Sequence, residues 1–86
     1  MENGVKRNYL SKYSGFKLPI LIEQDEDGFF VVECPVFSGC YTQGETVDEA
    51  MKNIREVIDL VLGEKKNQEA LSSYYPNKMK LQTITL

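Results

Sequence analysis

Two short runs of alternating apolar residues, Leu18 to Glu23 and Phe29 to Cys34, flank Asp25-Glu26-Asp27-Gly28, and their parity selects one hairpin register. With Glu26-Asp27-Gly28 as a three-residue loop and Gly28 at positive φ, Asp25 pairs with Phe29 and Ile22 falls opposite Val32. One face then carries Leu18, Ile20, Ile22, Phe30, Val32 and Cys34, all apolar. A loop one residue shorter or longer places Glu33 beside Ile20 and Ile22, and the burial of an unpaired carboxylate disfavours it. The opposite face gathers Leu21, Phe29 and Val31 between Glu23 and Glu33. One helix covers one side of a small sheet, so this second patch is expected to meet another chain, unless the N-terminal arm folds across it.

The rest of the chain follows from that hairpin. Pro19 lacks a ladder donor and places the first strand, Leu18 to Glu23, at a start or an edge of the sheet. Pro35 ends the second strand, and Cys40 to Gly44 alternates as a third, with Cys40 and Thr42 on one side and Tyr41 and Gln43 on the other. Gly44 allows the chain to bend, and Thr46-Val47-Asp48-Glu49 has the form of a capping box. Val47, Ala50, Met51, Ile54, Val57, Ile58 and Val61 then recur at helical spacing on one stripe, with Gly63 as the expected C-cap. Asn67 to Lys78 is polar and predicts no second helix, with a turn at Tyr74-Tyr75-Pro76-Asn77. Lys80 to Leu86 is rich in β-formers and predicts a last strand, edging the same sheet or crossing to a partner chain. The fold class is α+β: a three-stranded antiparallel sheet, one packed helix and a C-terminal strand. Residues 1–17 read as a flexible arm with one ordered turn, and 18–86 as the domain.

A chain of 86 residues has material for one core and stands near the size where association adds needed stability. Its net charge of −3 conceals a segregation. Between Leu18 and Glu64 eleven acids face only Lys52 and Arg55, a net −9, while the flanks carry +6. An acidic centre repels phosphate and attracts basic protein surfaces, although a merely solvated face has the same composition. Tyr9, Tyr13, Tyr74 and Tyr75 near the basic flanks keep an RNA-binding module as an alternative. Cys34 and Cys40 miss the spacing of a zinc knuckle and the chain has no histidine, so two reduced thiols, no metal and no cofactor are expected. An enzyme would have to use the carboxylates, yet the register sets Glu23 opposite Val31 and not Glu33, and no catalytic residue is assigned. The N-terminus has no signal-peptide core and no run is long enough for a membrane helix, which reads as cytoplasmic.

The ordered combination of Ile22-Glu23-Gln24-Asp25-Glu26-Asp27-Gly28-Phe29-Phe30-Val31-Val32-Glu33-Cys34-Pro35 with Ser38-Gly39-Cys40-Tyr41-Thr42-Gln43-Gly44-Glu45-Thr46-Val47-Asp48-Glu49-Ala50 resembles the N-terminal domain of HicB-like antitoxins. The resemblance implies a β-β-β-α-β, reduced ribonuclease-H-like fold. It further implies neutralisation of a small basic HicA toxin, which has a double-stranded-RNA-binding-domain-like fold and cuts messenger RNA with a histidine. Full-length members usually append a DNA-binding domain. Residues 63–86 leave no room for one, so no direct DNA binding is expected. The partner-binding residues so assigned are Asp25, Glu26 and Asp27 for a basic partner, and Leu21, Phe29 and Val31 for that partner or a homo-oligomer. A solitary self-associating module is the competing reading.

Overall fold

The computed structural model describes residues 9–74 and 80–86. The elements run α1 (Tyr9–Lys12), β1 (Leu21–Gln24), β2 (Phe30–Glu33), β3 (Tyr41–Gly44), α2 (Val47–Val61) and α3 (Lys65–Ser72). The strands form one antiparallel sheet in the order β1-β2-β3. Ile22 pairs with Val32 and Glu23 with Val31, the register that parity demands. The Asp25 N–H donates to the Phe29 carbonyl at 2.8 Å, and Gly28 closes the three-residue loop at φ 89°. β1 starts later than the apolar run because its partner strand ends at Glu33. Beyond that point the Cys34 N–H is given to the Cys40 carbonyl at 2.9 Å, on the β3 side. Leu18 and Ile20 precede the ladder and still pack against the core.

Thr46 caps α2, its hydroxyl accepting from the Glu49 N–H at 3.0 Å. The Glu49 carboxylate reaches back to the Glu45 N–H, which completes the box. Ala50, Ile54 and Ile58 are buried on the helix stripe, with Met51, Val57 and Val61 packed beside them. Gly44 serves close approach and not a special φ: a Cβ there would stand 2.5 Å from the Ala50 nitrogen. With only Glu45 and Thr46 between β3 and α2, the helix must start where the strand stops. It therefore lies over β3 and β2. The expected apolar face is therefore covered unevenly: Val32 and Cys34 are fully buried, whereas Ile22 on the same face is 47% exposed.

Two features were not legible as core or helix. Phe37, in the loop between β2 and β3, is 2% exposed and turns inward on a bond from its N–H to the Cys34 carbonyl. α3 occupies a stretch read as polar loop. Its apolar content is small, but Leu71 is buried, and Asn67 and Gln68 face back to the end of α2. The Asn67 amide donates to the Val61 carbonyl at 2.7 Å, and the Gln68 amide to the Leu62 carbonyl at 2.7 Å. These side chains cap α2, and Gly63 has no positive φ to do so.

From Tyr9 the arm is a short helix on the helical side of the fold. The Tyr9 N–H donates to the Asp59 carboxylate at 2.9 Å, and Tyr9, Leu10 and Tyr13 pack on the core. Residues 75–79 of the expected turn lie outside the described residues. Residues 80–86 pair with none of the three strands. Leu81, Ile84 and Leu86 are 85%, 86% and 112% exposed. A β-forming run becomes a strand only where it meets a ladder partner, and residues 80–86 meet none among the described strands.

Candidate partner-binding surface

The tip of the β1–β2 hairpin carries Asp25, Glu26 and Asp27, and its three carboxylates are not equivalent. Asp25 Oδ1 accepts from the N–H groups of both Asp27 and Phe29, each at 2.9 Å. This side chain builds the turn, as aspartates do when they substitute for a missing ladder bond. The Gln24 amide clasps the other strand through the Gly28 carbonyl at 3.2 Å. Glu26 and Asp27 are exposed, and neither carboxylate takes part in that clasp. Of the three acids assigned from the sequence, two are free to meet a cation and one holds the loop that presents them.

Behind the tip, the register lays the outer face of the sheet in rows. Leu21, Glu33 and Tyr41 form one row, and Glu23, Val31 and Gln43 the next. Phe29 continues the apolar line towards the tip, beside Asp25. Leu21 is 43% exposed and Tyr41 63%, while Phe29 and Val31 are half-buried. A shallow depression of about 290 Å³ lies among Leu21, Ile22, Glu23, Val31 and Glu33. The structure thus brings Leu21, Phe29 and Val31 together on one face. It adds Tyr41, which the alternation of β3 had placed on that side without its being linked to the patch. α2 lies against the other face, and the arm from Tyr9 packs on that helical side too. An apolar strip edged by Glu23, Glu33, Glu26 and Asp27 suits a protein surface with both apolar and basic groups.

The two thiols belong to the other side. Cys34 and Cys40 are free and fully buried at the neck of the β2–β3 hairpin. Burial pushes the Cys34 thiol up, and burial together with the neighbouring Cys34 pushes Cys40 up to about 11. Both are neutral at physiological pH, and a buried neutral thiol is a poor nucleophile. Among the described residues no group of three His, Cys, Asp or Glu side chains is placed to hold a metal ion. Nor is any helix long and apolar enough to cross a membrane.

The profile of the family described as HicB_like antitoxin of bacterial toxin-antitoxin system matches residues 18–82, which takes in the sheet, α2 and α3. Among curated proteins, a UPF0150 protein of Synechocystis sp. is 60% identical over 45 residues, covering 52% of this chain and 65% of that one. The chain thus covers just under two thirds of that relative's length. A UPF0150 protein of Archaeoglobus fulgidus is 49% identical over 53 residues, 62% of this chain and 77% of that one. One from Thermoplasma acidophilum is 50% identical over 42 residues, 49% of this chain and 61% of that one. No solved structure matches the chain significantly.

Proposed function

The chain belongs to the HicB-like antitoxin family of bacterial toxin-antitoxin systems, and from that premise we propose that it neutralises a small basic HicA-type toxin by binding it. The role is inhibition by contact and requires no catalysis. The observation that carries this reading is the outer face of the sheet, where Leu21, Phe29, Val31 and Tyr41 lie among Glu23 and Glu33 beside the free carboxylates of Glu26 and Asp27. Apolar contact supplies affinity, and the acids steer a basic partner and compete with RNA for its cationic surface.

The test is to co-express the chain with a small basic HicA-type protein from an adjacent open reading frame, scoring growth and co-purification; the absence of such a frame counts against the reading. Rescue of growth with a stable complex supports the reading. Toxicity that persists despite both proteins being present, or no complex between them, overturns it in favour of a self-associating module. Binding of the isolated chain to single-stranded RNA at physiological salt would instead favour the RNA-binding alternative.

A further inference from the structure

Among the described residues β1 is an edge strand whose outer side is unpaired, and the same chain carries a β-forming segment, residues 81–86, that is exposed and joins none of the three strands. We propose that residues 81–86 of one copy add as a fourth, antiparallel strand to β1 of a second copy, and that the exchange is reciprocal, forming a two-fold dimer. The inference concerns self-association and does not depend on the toxin reading.

The register can be derived. The Asp25 N–H is given to Phe29, so on the β2 side the ladder bonds fall at Asp25, Glu23 and Leu21. By alternation the backbone groups of Ile22 and Gln24 face the open edge. Setting Ile84 opposite Ile22 in antiparallel sense brings Leu86 beside Ile20, Gln82 beside Gln24 and Lys80 beside Glu26. The pairs on the core face match, apolar with apolar, amide with amide and cation with carboxylate, while on the outer face Leu81 falls opposite Asp25. A parallel arrangement with the same central pair sets Gln82 against Ile20 and Leu86 against Gln24, and loses all three flanking matches.

This register also accounts for two features the single chain leaves unexplained. Ile22 lies on the core face yet is 47% exposed, because α2 covers β3 and β2. A cavity of about 300 Å³ opens on that same side, between the arm and α2, with Leu18, Ile20, Ile54 and Ile58 in its wall. Ile84 and Leu86 on the added strand would lie on the core face next to Ile22 and Ile20, along the mouth of that cavity. Thr83 and Thr85 would take the outer face beside Glu23 and Leu21, where hydroxyls tolerate water. A second copy is the occupant because its segment is available: in the chain itself Leu81, Ile84 and Leu86 remain 85% exposed or more while the edge stays open.

Two measurements on the full chain test this. Light scattering after gel filtration is expected to give twice the 9.8 kDa chain mass, falling to the single mass for Ile84→Asp/Leu86→Asp with the circular dichroism spectrum retained. A wild-type monomer, or a double variant that still dimerises, overturns the proposal. The second experiment mixes Glu23→Cys with Thr83→Cys, each in a separate chain, under mild oxidation. These positions form a close non-hydrogen-bonded pair in the derived register, within the Cα separation of about 4.4–6.8 Å a disulfide spans. A covalent heterodimer from the mixture, absent from wild type, supports strand exchange. No cross-link in the mixture, or an intrachain disulfide in a monomeric Glu23→Cys/Thr83→Cys chain, overturns it, the latter in favour of closure within one chain.

Discussion

Asp25 and its two acidic neighbours show how one turn divides structure from recognition among like residues. All three are exposed, but Asp25 alone accepts two backbone N–H groups of the turn, each at 2.9 Å. Asp25→Ala should therefore cost about 1 kcal/mol and lower Tm by about 5 °C. Glu26→Lys/Asp27→Lys should leave Tm within about 2 °C but weaken binding to a basic partner by tenfold or more at low salt, since exposed charges act mainly on encounter. Thermal melts and binding titrations on the same preparations separate the two, and a charge-reversed pair that binds normally removes the tip from recognition. Buried Cys40 supplies a prediction in pH. Its thiol is pushed up to about 11 when folded, while an unfolded thiol ionises near ~8.5. Above the lower value the unfolded chain loses a proton that the folded chain keeps, so stability is full below about pH 8.5 and declines towards pH 11. Urea midpoints across that range should fall by more for wild type than for Cys40→Ala, once each is referred to its own value at neutral pH.

At the scale of elements, the fold depends on how α2 is held at both ends. Thr46 and Glu49 close its N-terminus, and Asn67 and Gln68 reach back from α3 to its last carbonyls. Asn67 is 6% exposed and its amide donates to the Val61 carbonyl and the Glu64 carboxylate, so Asn67→Ala removes both bonds from a buried site and should cost about 1–3 kcal/mol. Thr46→Ala should cost about 1 kcal/mol. A cost for Asn67→Ala well below about 1 kcal/mol in urea denaturation would mean that α3 does not clamp the end of α2. The two caps also explain what could be read in advance. The N-terminal box is written in four consecutive residues, and the hairpin register follows from local parity with one glycine. The C-terminal clamp is made by amides on a helix of mostly polar residues, whose periodic apolar signal reduces to Ala70 and Leu71. Phe37 was hidden for a similar reason: its burial comes from a loop folding inward, which alternation does not encode. Leu21, Phe29 and Val31 were placed on one face by parity alone. The inequality of Asp25 with Glu26 and Asp27, by contrast, requires knowing which carboxylate the turn amides reach.

Across the whole molecule, the surfaces proposed for association present different groups. The outer face carries apolar and acidic groups, while the β1 edge offers backbone donors and acceptors with Ile22 on the core side. They adjoin along β1, where Leu21 and Glu26 stand beside Thr85 and Lys80 in the derived register, so toxin binding and mass have to be read on the same variant. Leu21→Lys/Val31→Lys introduces two cations into the middle of the outer face, where they would confront a basic partner and interrupt the apolar strip. Val31 is half-buried, so part of the effect will be on stability, about 1–2 kcal/mol. Binding measured well below Tm is expected to fall by a hundredfold or more, equivalent to about 3 kcal/mol. The single Glu33→Lys, exposed in the row between Leu21 and Tyr41, supplies the control that leaves the apolar strip in place. It should weaken toxin binding about tenfold at low salt, with the loss shrinking as ionic strength rises and the Debye length shortens. If toxin binding survives Leu21→Lys/Val31→Lys while the homodimer dissociates, the outer face is the self-association surface and the toxin site lies elsewhere. If toxin binding fails while mass stays at the dimer value, the face receives the toxin and the edge joins the copies, so one antitoxin dimer can hold two toxins.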